Sequence, residues 1–386
     1  MIPITKPMLD EREADAARRV ILSGWITQGP EVAAFEREFA DAVGARYACA
    51  VSNCTTALHL ALLAAGVGPG DEVVTVSHSF IATASCIRYC GAIPVFVDVC
   101  EDTFNMNPAQ VEAAISPMTK AILCVHQMGM PCDLSSLAAI AARYSLPLIE
   151  DAACAIGSEI IWKGNWERIG KPHGDIACFS FHPRKIITTG DGGMITTKHK
   201  HWDDQVRTWR QHAMSVPDTV RHRSSRVVFE SYPDLGFNYR MTDIQAAVGR
   251  EQLTRVSEIV ATRRRLAMRY QAALRDVPGL ILPVEPEWAR SNWQSFCIRL
   301  ADDCDQRELM QSLLDRGIAS RRGVMCAHRE LAYRDKEPWR SFEPLSASER
   351  SQDRGVILPL YPQMTDNEQD SVISAIAQVL ARDCVA

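Results

Sequence analysis

Lys185 closes the run Phe179-Ser180-Phe181-His182-Pro183-Arg184-Lys185. About one β-α-β unit upstream, Asp151 ends the apolar stretch Leu146-Pro147-Leu148-Ile149-Glu150-Asp151. A lysine amine can condense with an aldehyde to a Schiff base, and a carboxylate at the C-terminal end of a buried strand can keep a pyridine nitrogen protonated. Those are the two demands that pyridoxal phosphate makes of a protein. Each residue alone has an ordinary reading, as a solvated lysine and as a turn or cap aspartate. Further residues must be found at compatible places before the chemistry is credible.

The chain supplies them. The β-rich segment from Tyr47 to Ser52 runs into Asn53-Cys54-Thr55-Thr56 and then into an apolar helical segment, so free N–H groups and hydroxyls at a helix start offer an anion site for the cofactor phosphate. Thr55 or Thr56 could equally be a plain N-cap. Ser180, five residues before Lys185, can reach a phosphate from the same strand end. Phe80 follows Val76-Ser77-His78 at a C-terminal strand edge, where open α/β sheets bind ligands and an aromatic ring can stack on a pyridine. Gly190-Asp191-Gly192-Gly193 makes the tight turn that returns the chain to a last strand.

The elements that must hold these residues read as an α/β fold. Short apolar runs alternate with helical segments from about residue 45 to 200, which predicts a largely parallel sheet covered by helices. Seven strands are expected, at Tyr47–Ser52, Glu72–Ser77, Ile93–Val99, Lys120–His126, Leu146–Asp151, Ile176–Phe181 and Gly193–Thr197. A polar stretch from 198 to 235, with Arg207, Arg210, His212, Arg221, Arg223 and Arg226, is either a solvated loop or a site for an anionic substrate. From Thr242 to about Leu274 one long helical pattern leads out towards a smaller α/β unit, giving a large domain over 1–250 and a small one over 251–386.

Composition removes several classes of function. Hydrophobic residues at 47% and charged residues at 23% are ordinary for a soluble globular chain of 386 residues. A net charge of −5 gives no basic excess to neutralise phosphates, so nucleic acid is not an expected partner. Thirteen scattered cysteines without a Cys-x-x-Cys pair point to reduced thiols and not to a disulfide frame or a zinc site. The start Met1-Ile2-Pro3-Ile4-Thr5-Lys6-Pro7 lacks the plan of a signal peptide and no apolar run nears membrane-spanning length, so a cytoplasmic protein is expected. Gly66-Val67-Gly68-Pro69-Gly70 follows a helix and precedes a strand, the reverse of a dinucleotide fingerprint, which removes a nicotinamide-dependent oxidoreductase.

Several ordered motifs together resemble one family. Gly24-Trp25-Ile26-Thr27-Gln28-Gly29-Pro30, Asn53-Cys54-Thr55-Thr56-Ala57-Leu58-His59-Leu60, Glu150-Asp151-Ala152-Ala153, Phe179-Ser180-Phe181 through Lys185, Gly190-Asp191-Gly192-Gly193, Asn238-Tyr239-Arg240-Met241 and Leu358-Pro359-Leu360 are similar to those of the DegT/StrS sugar aminotransferases. The resemblance implies a type I aminotransferase fold, a homodimer with shared active sites, and pyridoxal phosphate as cofactor. It implies Lys185 as the Schiff-base lysine, Asp151 on the pyridine nitrogen, Phe80 against the ring, Thr55, Thr56 and Ser180 at the phosphate, and Asn238 at the phosphate of the partner subunit's cofactor. Trp25, His182, Arg240 and His328 are then expected on the substrate side. Amino transfer from glutamate to a nucleotide-linked keto-sugar is the implied reaction. Dehydratases of the same fold carry histidine at the lysine position, so Lys185 argues against them, and no separate DNA-binding segment or basic domain is visible, which weakens the reading as a non-catalytic cofactor-binding regulator. The chain departs from the pattern at Cys154, where Gln or His is usual beside the cofactor's ring oxygen, at Asp191 for Glu, at His182 for Tyr, and at Gln127-Met128 for Leu-Tyr.

Overall fold

In the computed structural model, which describes residues 1–216, 221 and 224–383, the seven expected strands lie in one sheet. In chain order they begin with β1 (Tyr47–Val51), β2 (Glu72–Val76), β3 (Ile93–Val97), β4 (Thr119–Val125) and β5 (Leu148–Asp151). A side hairpin of β6 (Glu159–Trp162) and β7 (Asn165–Arg168) follows, and then β8 (Ile176–Ser180) and β9 (Gly193–Thr197) return to the main sheet. Across the sheet the order is β1-β9-β8-β5-β4-β2-β3, with β9 antiparallel to both neighbours and the other pairings parallel. The near-continuous Val/Ile/Leu composition of β2 to β5 is what burial on both faces requires. An eighth strand, Arg340–Ser341, adds parallel to the β3 edge, a pairing of only two residues from the far end of the chain.

Helices cover both faces. Near the start of the chain lie α1 (Glu11–Ser23) and α2 (Pro30–Val43), and α3 (Cys54–Ala64) begins directly after β1. Helix α3 is buried along nearly its whole length, from Ala57 to Leu62, because it lies between the sheet and the helices Ala82–Tyr89 and Lys200–Trp209. Asn53 is its N-cap: Asn53 Oδ1 accepts from Thr56 N at 2.9 Å, and Thr56 supplies the reciprocal contact of a capping box. The start of α2 is capped from far away, since the carboxylate of Asp243 accepts from Gly29 N, Glu31 N and Val32 N. Beneath the Lys185 loop, Phe35 and Phe39 of α2 pack against Phe181 and Phe179, with ring centroids 5.4 Å (Phe35–Phe181) and 5.1 Å (Phe39–Phe179) apart.

The long helical pattern after Thr242 resolves into two helices, Asp243–Thr254 and Val256–Leu274, broken at Arg255. The second packs on a four-stranded antiparallel sheet of Leu280–Ile281, Phe296–Leu300, Gly355–Leu358 and Arg321–Arg322. Its Arg263 is fully buried and donates to the carbonyls of Trp293, Gln294 and Leu360. The two packing centres are stitched together: Ile2 bridges to Ile318, and Asp98, just after β3, caps the helix Ser346–Arg354 through Ala347 N and Ser348 N. Among the described residues no helix is long and apolar enough to cross a membrane.

The polar stretch after residue 198 opens with the helix Lys200–Trp209 and is not all loop. Arg207 pairs with Asp203 and Glu36, and buried Arg210 with Glu36, so both arginines are structural ion pairs and not part of an anion site. Arg221 pairs with Glu230, Arg226 is exposed, and Arg223 lies outside the described residues.

Candidate active site

Because β1, β2, β4, β5 and β8 run the same way, their C-terminal ends share one edge of the sheet, and the singled-out residues cluster along it. Asp151 is the last residue of β5, Ser180 the last of β8, Phe80 lies just beyond β2, and Thr55 and Thr56 stand in the first turn of α3. Lys185 sits in the loop after β8, in a turn closed by its own N–H to His182 O at 2.8 Å.

Lys185 Nζ donates to Cys154 Sγ at 3.0 Å. Burial disfavours the ammonium, yet the contact with Cys154 and the nearby Asp151 outweigh it and hold the amine above the ordinary lysine value. Cys154 follows β5 by three residues, so strand β5 positions both partners of the lysine.

Asp151 is buried, and burial pushes its carboxyl above the usual aspartate value against the stabilising contacts it receives. Thr83 Oγ1 donates to Asp151 Oδ2 at 2.8 Å and Ala153 N to Asp151 Oδ1 at 3.2 Å. Thr83 is itself held by Ser79, hydroxyl to hydroxyl at 2.7 Å. Both neighbours stabilise the charged carboxylate, which is the form that a protonated ring nitrogen needs opposite it.

At the other end of the edge, the side chain of Thr56 is taken up locally, donating from Oγ1 to Asn53 O at 2.7 Å. Thr55, one residue earlier, is half-buried with its hydroxyl committed to no such cap. The close approach of β9 to this turn depends on glycine: a Cβ at Gly193 would stand 2.6 Å from the backbone of Asn53. Ser180 is half-buried and Asn238 exposed, in a segment that bridges to Gln211 and, through Arg240, to Val51 at the end of β1. Arg240 Nε donates to Asn238 Oδ1 at 3.2 Å.

Phe80 is 63% exposed in the chain, an aromatic face left open at the strand edge. His328 comes from the C-terminal part and docks on Ser77, just after β2. Ser77 Oγ lies 2.6 Å from His328 Nδ1 and Glu349 Oε1 lies 3.0 Å from Nε2, so both ring nitrogens are engaged. His182 Nδ1 accepts from Arg184 N, and burial lowers its pKa. Trp25 lies in the α1–α2 connection, with Nε1 donating to Gln28 O at 3.3 Å. Gln127, one of the departures noted above, is buried and bonded through its backbone to Asn105 Oδ1 and through its side chain to His78 O.

Sequence reading missed three residues that hold this edge together. Thr83 lies in the first turn of a helix and gives no local signal of its tie to Asp151. Asn292 Nδ2 donates to the carbonyls of Cys154 at 2.7 Å and Ile156 at 2.8 Å. Gln294 Nε2 donates to Arg184 O at 2.8 Å, next to Lys185. The segment 292–294 thus clasps both chain stretches that bring Cys154 and Lys185 together.

The residues fit a pyridoxal-type cofactor by their donor set: an amine, a buried carboxylate with spare acceptor capacity, an open aromatic face and a helix start lie along one edge. The profile of the DegT/DnrJ/EryC1/StrS aminotransferase family matches residues 7–377. The spore coat polysaccharide biosynthesis protein SpsC of Bacillus subtilis (strain 168) is 35% identical over 383 residues, covering 98% of this chain and 97% of SpsC. The aminotransferase TlmJ of Streptoalloteichus hindustanus superposes with a TM-score of 0.90 at 32% identity, over 100% of both chains. Spr1654 of Streptococcus pneumoniae, solved in a PLP form and a PMP form, superposes in the PLP form with a TM-score of 0.90 at 25% identity over 99% of each chain. A match of this length, over a sheet edge that carries the expected lysine and aspartate, has one conclusion: the chain belongs to the DegT/DnrJ/EryC1/StrS aminotransferase family.

Proposed function

We propose that this protein transfers an amino group from an amino acid, glutamate by family likeness, to the keto group of a nucleotide-linked sugar, using pyridoxal phosphate held at the sheet edge described above. The observation that carries the reading is the placement of the Lys185 amine and the buried Asp151 carboxylate on that one edge, with Phe80 open beside them. When bound, the cofactor supplies an electron sink for the carbon that loses its proton. Asp151, kept charged by Thr83 and Ala153, holds the proton on the ring nitrogen. Lys185 would anchor the cofactor, and its amine, when free, would hold and move the proton at Nζ. Thr55, Thr56 and Ser180, with the first N–H groups of α3, receive the phosphate, and Asn238 serves the partner's site in a homodimer. Trp25, His182, Arg240 and His328 face the substrate in this reading, and the protein works in the cytoplasm as two domains, 1–250 and 251–386.

The SpsC relative is named for spore coat polysaccharide biosynthesis, which supports a sugar acceptor. Lysine at position 185 favours amino transfer over dehydration. The test is direct: wild-type protein loaded with pyridoxal phosphate shows the visible absorbance of a lysine-bound cofactor, and a panel of nucleotide keto-sugars incubated with glutamate yields an amino-sugar product by mass. Turnover retained by Lys185→Ala would overturn the assignment of the lysine, and a panel without product would overturn the acceptor class.

A further inference from the structure

One turn beyond its start, helix α3 carries His59, on the side of the helix that also holds Thr55 and Thr56. His59 is buried, and its Nδ1 lies 3.2 Å from the hydroxyl of Tyr239, 180 residues further along the chain. The chemistry proposed above uses neither residue. Burial lowers the pKa of the imidazole and raises that of the phenol, so near neutrality the contact joins two uncharged groups.

Tyr239 stands between Asn238 and Arg240, both assigned to the site above. The backbone here is extended: Asn238 bridges to Gln211 and Arg240 to Val51, Tyr239 N donates to Arg210 O at 2.9 Å, and Ser52 N donates to Tyr239 O at 2.8 Å. Side chains therefore alternate between two faces. Phe237 and Tyr239 share one face, stacked with ring centroids 4.8 Å apart, and both pack towards α3, where Phe237 meets the His59 ring with centroids 5.1 Å apart. Asn238 and Arg240 share the other, joined by the bond from Arg240 Nε to Asn238 Oδ1 at 3.2 Å. The His59–Tyr239 bond ties the inner face to α3, and the alternation passes that constraint to the outer one. We infer that His59 is a positioning residue that acts across the subunit boundary: through Tyr239 it places Asn238 of its own chain for the cofactor phosphate held by the other protomer. The inference rests on the homodimer and the role of Asn238 proposed above. Helix α3 then serves both sites, receiving one phosphate at its first turn and setting, one turn on, the residue that reaches the second.

The experiment measures the affinity of the full-length protein for pyridoxal phosphate by visible absorbance titration. His59→Phe keeps an aromatic ring and Tyr239→Phe removes only the hydroxyl, so each deletes the hydrogen bond and leaves the packing largely in place. Each is expected to raise the dissociation constant about three- to tenfold, the scale of one hydrogen bond, and the double variant no further. Asn238→Ala is expected to weaken binding at least as much. Mixed dimers give the direction of the effect. One protomer carries Lys185→Ala, so that the other alone shows the absorbance of lysine-bound cofactor. His59→Phe added to the Lys185→Ala protomer should weaken the remaining site, whereas His59→Phe in the lysine-bearing protomer should leave that site as in the reference dimer with His59 intact. An unweakened site in the first arrangement, a weakened one in the second, or full affinity in Tyr239→Phe would each overturn the inference. Unchanged affinity in Asn238→Ala, or a monomer by light scattering, would overturn the role of Asn238 proposed above and the inference with it, so the two failures are told apart.

Discussion

Thr83 Oγ1 donates to Asp151 Oδ2 across 2.8 Å, although 68 residues separate the two in the chain. The bond matters because Asp151 is buried, and burial alone drives its carboxyl towards the neutral acid. Thr83→Val removes a contact to the charged form, so the carboxyl pKa rises further and the acid side of the kcat profile moves to higher pH. A loss of about 1–1.5 kcal/mol, roughly tenfold in kcat, is expected at neutral pH. Thr83→Ser keeps the hydroxyl and should restore both profile and rate, and an unshifted profile in the valine variant would remove the positioning role.

Asp151→Asn keeps the shape and removes the charge. Turnover is expected to fall by at least about a hundredfold, the scale of losing one placed electrostatic group. Visible absorbance titrated with pyridoxal phosphate separates weakened cofactor binding from a slowed proton transfer.

The clasp at 292–294 predicts a graded effect. Asn292→Ala leaves the part-buried carbonyl of Cys154 and the buried one of Ile156 without their donor, a cost of about 1–3 kcal/mol. Gln294→Ala, at a more exposed bond to Arg184 O, is expected to cost less in thermal melting and yet to loosen the lysine loop. The two losses should be non-additive in a double-mutant cycle, since both act on the Cys154–Lys185 approach.

Gly193→Ala tests the packing of β9 on the turn that starts α3. Its Cβ would sit 2.6 Å from the carbonyl of Asn53, backbone that cannot turn aside. A stability loss of about 1–3 kcal/mol is expected by chemical denaturation, with weaker phosphate binding because the helix start is displaced. A fully stable variant with normal cofactor affinity would show that the turn yields freely.

Acid stability has a named contributor. Arg340 donates from Nε and Nη2 to the two oxygens of Glu72, each at 2.6 Å, fastening the added strand Arg340–Ser341 to the sheet edge. The guanidinium, assisted by Ser116, lowers the Glu72 pKa below its ordinary 4.5. A depressed carboxylate contributes stability above its unfolded value and loses it as pH falls through the folded one. The stability difference between wild type and Glu72→Gln should therefore be constant near neutrality and shrink below about pH 4.5.

Much of the site was legible in the chain because its chemistry is carried by residue types in fixed local settings. Lys185, Asp151 and Ser180 follow apolar runs that can only be buried strands, and parallel strands put their C-terminal ends together whatever the details of packing. Thr55 and Thr56 were placed correctly at a helix start, but their settings differ: the capping box with Asn53 occupies Thr56, whereas Thr55 is half-buried outside that box. Arg207 and Arg210 show the converse. A run of arginines in sequence carries no sign that Glu36, more than 170 residues away, neutralises both.

The sequence by itself determined the fold class, the places of the seven strands along the chain and the position of Asp151 and Lys185 at or after the ends of two of them, since hydrophobic periodicity and strand-end position are local properties, whereas the order of the strands across the sheet came from the tertiary structure. Only the tertiary structure decided which groups surround that pair. Thr83 on Asp151, Asn292 and Gln294 around Cys154 and Lys185, and Ser77 on His328 are contacts between segments 68 to 251 residues apart, which no local pattern announces because the packing of distant elements brings the partners together.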